Sequence, residues 1–163
     1  MNPHQPKVYA DYPALVKGDA LELLARQATE FPEFLESLSH KAGYAYAPGK
    51  WTIAEMAGHI IDTERILVYR LTAVIRGEQS PLPGFDEDEY VLRAHFPDRS
   101  LQSFAEEFNL MRRANLFLFR SLSEEELNRT GVASGKEISA RRLMLTIAGH
   151  LLHHIAIIHE RYL

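Results

Sequence analysis

The chain has 163 residues, 46% apolar and 25% charged, the balance of a globular domain able to bury roughly 70% of its unfolded surface. Its 18 Lys and Arg and 22 Asp and Glu leave a formal charge of −4 with both signs mixed along the chain, which argues against nucleic acid as the main partner. It has no cysteine, which excludes disulfides, cysteine-ligated zinc and a protein thiol nucleophile together.

The expected organisation is a single domain over 1–163, with 1–17 as an N-terminal extension. No apolar run approaches the ~20 residues that span a bilayer. The opening Met1-Asn2-Pro3-His4-Gln5-Pro6 has no apolar signal core, so the expected compartment is the cytoplasm. Leu21, Leu24, Ala28, Phe31, Leu35 and Leu38 recur at three- and four-residue steps and predict a first amphipathic helix, with Pro32 expected to kink it. A loop rich in Tyr, Pro and Gly follows from Gly43 to Gly49. Thr52 and Glu55 then have the spacing of a capping box, and Trp51 with Met56 that of a hydrophobic staple, opening a second helix that runs to Arg76 and stops at Gly77.

From Gly77 to Arg99 the periodicity fails, broken by Pro81, Pro83, Gly84 and Pro97, with a short helix expected over Asp86 to Arg93. Connections this long in compact domains tend to carry function, and Phe85 and Tyr90 are expected to help close a pocket. Ser100 caps a third long helix bearing Phe104, Phe108, Met111, Leu116 and Phe119, and Ser123 with Glu126 caps a short turn. A loop over Gly131 to Gly135 leads to Ser139, the cap of a fourth long helix with Ile138 and Leu143 as its staple. No alternation competes as strand, so the fold class expected is all-α without a sheet. The expected architecture is a four-helix bundle with a long connection between helices two and three.

On the fourth helix, Leu143, Ile147, His150, His154, Ile157 and Arg161 follow alternating four and three steps, the inner seam of a bundle. His150 and His154 thus project from one face, a turn apart. A third histidine, His59, lies in the apolar run Met56-Ala57-Gly58-His59-Ile60-Ile61. Three neutral imidazoles around one open position suit a catalytic divalent metal. His59 stands seven residues after Thr52, roughly 10 Å into its helix, and His154 seven before Arg161, so the levels match if helices two and four are antiparallel. A shared site therefore selects an up-down-down-up order. His153 and His159 point off the seam, and His4, His40 and His95 fall in loops or at an end; these five are read as solvated.

Other metal patterns fail on composition. Leu151 stands where the glutamate of His-Glu-x-x-His would be, and the inward carboxylates of di-iron bundles are missing beside His150. Glu55 and Asp62 lie on the His59 side of helix two and are candidates to orient its ring. Imidazole ligands accept zinc, nickel, copper or iron, which leaves the ion open.

Four blocks, Pro48-Gly49-Lys50-Trp51-Thr52, Gly58-His59-Ile60-Ile61-Asp62-Thr63-Glu64-Arg65, Pro83-Gly84-Phe85-Asp86-Glu87-Asp88-Glu89-Tyr90 and Gly149-His150-Leu151-Leu152-His153-His154, resemble the DinB-like superfamily and its YfiT-type metal-dependent enzymes over about residues 18–163. The resemblance implies a four-helix bundle in which His59, His150 and His154 bind nickel, zinc or a similar ion, and it implies frequent homodimers. It also places Arg112 where relatives often carry an arginine near the pocket, an anion holder for substrate. Some members of the superfamily use a low-molecular-weight thiol as cosubstrate, others are called hydrolases. For this chain the expectation is a metal-dependent S-transferase acting on a small molecule. Hydrolysis and a metal-braced interaction module are the alternatives.

Overall fold

The computed structural model describes residues 10–163. Its helices are α1 (Ala20–Ser37), α2 (Ile53–Ile75), α3 (Glu87–Arg93), α4 (Leu101–Ser121), α5 (Glu124–Leu127) and α6 (Ala140–Arg161). Between α5 and α6 lies an antiparallel hairpin of β1 (Thr130–Ala133) and β2 (Lys136–Ser139). The four long helices are α1, α2, α4 and α6; among the described residues none is long and apolar enough to cross a membrane.

Local side-chain chemistry sets most helix starts. Asp19, Thr52, Ser100 and Ser139 each accept a hydrogen bond from the backbone N–H three residues on, which supplies a partner to one orphan donor of α1, α2, α4 and α6 respectively. At the far end of α2, Gly77 takes φ 85°, Glu78 N donates to the Ala73 carbonyl at 2.9 Å and Gly77 N to that of Val74 at 3.1 Å. This pattern closes the helix on a residue for which left-handed backbone is unstrained.

Two buried clusters divide the interior lengthwise. One joins Phe31 and Leu35 of α1, Ile53 to Ile61 of α2, Leu101 to Phe108 of α4, and Leu151 and Ile158 of α6. The other joins Leu23 and Leu24, Leu67 to Ile75, Leu116 and Phe119, and Leu143 to Ala148. At the first end Tyr162, just past α6, donates its hydroxyl to the Trp51 carbonyl, just ahead of α2, at 2.7 Å.

Pro32 lies buried inside α1, which continues through it. Its ring has no N–H, so the Ala28 carbonyl loses its intrahelical donor. Asn109 of α4 takes that place, donating Nδ2–H to Ala28 O at 2.7 Å.

The expectation of an all-α chain without a sheet is corrected by the β1–β2 hairpin. Ser134 and Gly135 both have positive φ, 51° and 75°, the two-residue turn whose twist matches that of paired strands. The long connection reinforces it: Leu82 N donates to Val132 O at 2.8 Å and Ser134 N to Leu82 O at 3.1 Å. The seam of α6 is corrected at its end as well. Ile158 and Tyr162 are buried there, while Arg161 is exposed, because true helical period advances the buried face beyond a strict four-three alternation.

Candidate metal centre

The Thr52–Glu55 capping box places His59 in the second turn of α2: Glu55 Oε2 accepts from Thr52 N at 2.7 Å, and Thr52 Oγ1 accepts from Glu55 N at 3.2 Å. Across the bundle, α6 presents His150 and His154 a turn apart. All three imidazoles are buried. Their Nε2 atoms converge, with His150 Nε2 lying 3.1 Å from that of His59 and 3.0 Å from that of His154. Among the described residues, these three side chains form the group that brings its ligand atoms within 4.8 Å of one another.

The donor set fits a cation better than a chain of hydrogen bonds. A ring nitrogen carries either one proton or one lone pair. In neither state does His150 Nε2 make good hydrogen bonds to both neighbours at once. A shared ion uses all three lone pairs. Ligand nitrogens ~2.0–2.1 Å from a tetrahedral ion stand ~3.3 Å apart, close to the spacing seen here. His154 Nδ1, on the opposite side of the ring from the converging Nε2, is buried without a hydrogen-bond partner among the described residues.

Electrostatics keeps the lone pairs available. Burial, reinforced by His154, His59 and His153, holds His150 well below the ordinary histidine range. Burial and then His59 and His153 do the same to His154. Neutral imidazole is the form that ligates. The walls are aromatic, with Trp51 4.7 Å from His59 and Tyr12 5.2 Å from His150 between ring centroids.

The three histidines expected as ligands are thus together. The other candidates have different partners on display. Glu55 is engaged with Thr52 N and Oγ1 at the cap, and Asp62, partly exposed, pairs with Arg65 at 3.6 Å. Thr63 Oγ1, one turn beyond His59, stands 3.5 Å from its Nδ1. Arg112 is fully buried; Nε and Nη2 donate to the two oxygens of Glu64, and Nη1 to Gln27 Oε1 at 2.8 Å and Leu24 O at 3.2 Å. A substrate anion held by Arg112 has to displace Glu64. His153 is half-buried against Tyr12, with burial lowering its pKa, whereas His159 is exposed off the seam, as expected, and stacks on Phe34; His95 is exposed in a loop and His40 is exposed in a single 3-10 turn. His4 lies outside the described residues. Phe85 and Tyr90 pack on each other, and Arg70 reaches over Phe85 to donate to Pro83 O at 2.8 Å.

Sequence reasoning passed over Glu64 and Tyr12. Glu64 was detectable as a carboxylate inside the apolar stripe Ile60, Ile61, Leu67 and Leu71, as Arg112 is a cation between Phe108, Leu116 and Phe119. Tyr12 had no such signal.

Residues 23–158 match the model of the DinB superfamily. The chain belongs to the DinB superfamily. A curated protein of Oceanobacillus iheyensis, named provisionally as a metal-dependent hydrolase, is 27% identical over 114 residues, 68% of this chain. The match spans 64% of that relative's length. Among solved structures, YfiT from Bacillus subtilis, described as "a probable metal-dependent hydrolase with an unusual four-helix bundle topology", superposes with a TM-score of 0.75. That likeness covers 96% of this chain and 90% of YfiT at 16% identity, and it speaks to the fold.

Proposed function

We propose that this chain is a divalent-metal enzyme acting on a small molecule, its ion held by His59, His150 and His154. The convergence of three buried Nε2 atoms carries the reading. The bundle is proposed to run up-down-down-up. Supporting this, α1 and α6 reach one core cluster with their C-terminal halves, α2 and α4 with their N-terminal halves. Zinc or nickel is the ion proposed, from among the zinc, nickel, copper and iron that imidazoles accept. When bound, such an ion lowers the pKa of a water or thiol beside it and supplies a nucleophile at neutral pH.

The chain's own residues then have defined tasks. The capping box and the seam of α6 fix the three imidazoles, burial keeps those of His150 and His154 neutral, and Trp51 and Tyr12 limit water around the cluster. Transfer of a low-molecular-weight thiol to a small electrophile is the first reading. It is favoured because no carboxylate shares the ligand cluster among the described residues and Glu55, the carboxylate a turn from His59, is engaged at its cap. A thiol activated by an ion needs no general base to stay ionised, whereas peptide or ester hydrolysis gains from one. Hydrolysis is the second reading, favoured by the names of the two relatives. A homodimer in the cytoplasm completes the proposal.

Metal-loaded protein assayed with a panel of cellular thiols and a generic electrophile separates the readings. Thiol-dependent turnover that disappears in His59→Ala is the expected result. Thiol-independent hydrolysis by the wild type reverses the order, and inactivity of protein shown to hold its ion in a closed shell supports the interaction module instead.

A further inference from the structure

Each ligand-bearing helix carries a glycine immediately before its first histidine, and in both cases a segment from outside the long helices occupies the space. A Cβ on Gly58 would stand 2.4 Å from the Phe96 ring. A Cβ on Gly149 would stand 1.9 Å from the Tyr12 carbonyl oxygen and 2.5 Å from its carbon. The second contact is the more demanding, since backbone rather than a movable side chain fills the notch. No residue with a β-carbon fits there unless residues around Tyr12 lift off α6.

The same stretch is secured at other points. Pro13 lies in a single 3-10 turn, Tyr12–Leu15, in which Ala14 N donates to Asp11 O at 3.0 Å and Val16 N to Pro13 O at 3.2 Å. Arg142, two turns before Gly149 on α6, donates to Asp11 Oδ1 at 3.1 Å. Val16 packs on the core cluster at the α6 N-terminal end, and Gly18, at φ 74°, leads the chain toward α1. Seated this way, the Tyr12 ring meets His150 edge-on with the planes at 85°, and touches His153 as well, 5.3 Å between centroids. His150 is only 5% exposed beneath it.

We propose that residues 10–17 are a strap belonging to the metal centre, seated in the Gly149 notch, in which Tyr12 is a positioning residue that holds the His150 imidazole and shields the site from solvent. The inference rests on the metal reading above and assigns to it a segment that its three ligands do not include. An aromatic edge against the imidazole restricts ring rotation, and a wall on that side slows exchange of the ion. Groups that orient a ligating histidine change metal affinity by about 10–100-fold when removed.

Cobalt(II) is the probe, because its visible absorption reports the number and geometry of its ligands. Wild type, Tyr12→Phe and Tyr12→Ala are loaded with cobalt, and their spectra and rates of loss to a chelator are compared. Tyr12→Ala is expected to change the spectrum and release cobalt about tenfold faster; Tyr12→Phe, which keeps the ring, restores both. Equal spectra and equal release in wild type and Tyr12→Ala overturn the strap while leaving the metal reading intact. A wild type that takes up no cobalt overturns both. Should Tyr12→Ala lose its helical circular dichroism, Arg142→Ala provides the same test by untying Asp11 at the surface. Faster release supports the strap, and unchanged release overturns it.

Discussion

Arg112 and Glu64 face each other through two parallel hydrogen bonds, Nε to Oε1 at 2.8 Å and Nη2 to Oε2 at 2.7 Å, in the interior of the bundle. Asn115 donates to the same Oε1 at 3.0 Å, and Gln27, which accepts from Arg112, donates in turn to Ala148 O at 3.0 Å. The network therefore ties α1, α2, α4 and α6 together beside the metal centre, since Glu64 follows His59 on α2 and Ala148 precedes His150 on α6. Removing one partner leaves a buried charge. Arg112→Met is expected to cost about 3–5 kcal/mol in urea unfolding, and a second change, Glu64→Leu, to recover part of it. A loss under about 1 kcal/mol would mark the pair as behaving like an exposed one.

Elemental analysis of protein purified without a histidine tag or added metal is expected to find about one divalent ion per chain. His154→Ala should lose the ion yet keep its helical circular dichroism, because the seam on either side of it is apolar. A metal-free wild type together with a His154→Ala protein of unchanged stability would reduce the three imidazoles to core packing.

The bond from Asn109 to the Ala28 carbonyl predicts a coupling. Asn109→Ala strands that carbonyl and is expected to cost about 1–3 kcal/mol. In a Pro32→Ala background residue 32 regains its N–H, which fills the carbonyl from within the helix, so the same Asn109 change should cost measurably less. Urea unfolding of the four proteins in this cycle gives the difference directly. Equal costs in both backgrounds would mean that Asn109 acts through packing.

What the sequence disclosed was what short-range chemistry decides. Thr52, Ser100, Ser123 and Ser139 cap the helices they precede because each bond spans three residues. The histidine seam followed from helical period, and the depth of His59 against His154 from rise per residue. The hairpin stayed hidden because strands of four residues hold too little alternation, and because its third backbone partner, Leu82, arrives from a segment without periodicity. The Glu64–Arg112 pair was half visible: two charges in apolar stripes need a partner, yet one-dimensional spacing does not say which. The Tyr12 contact with Gly149 joins opposite ends of the described chain and left no local trace.

Tyr162 sets the alkaline limit. Its hydroxyl donates to the Trp51 carbonyl at 2.7 Å, and the rings of Tyr46 and Tyr44 surround it at 5.1 and 6.1 Å. Burial, with Tyr46 and Glu55 adding to it, pushes the phenol up to about 12. An unfolded tyrosine ionises near 10. Between those values the unfolded chain has released a proton that the native state retains, so the contribution is whole below about pH 10 and declines as pH rises toward 12. Tyr162→Phe has no such proton. It is expected to be less stable than wild type by about 1 kcal/mol at neutral pH, through the lost hydrogen bond. The two urea-unfolding curves should then converge as pH is raised from 9 toward about 12. Stabilities that stay parallel across that range would show that Tyr162 ionises alike in both states.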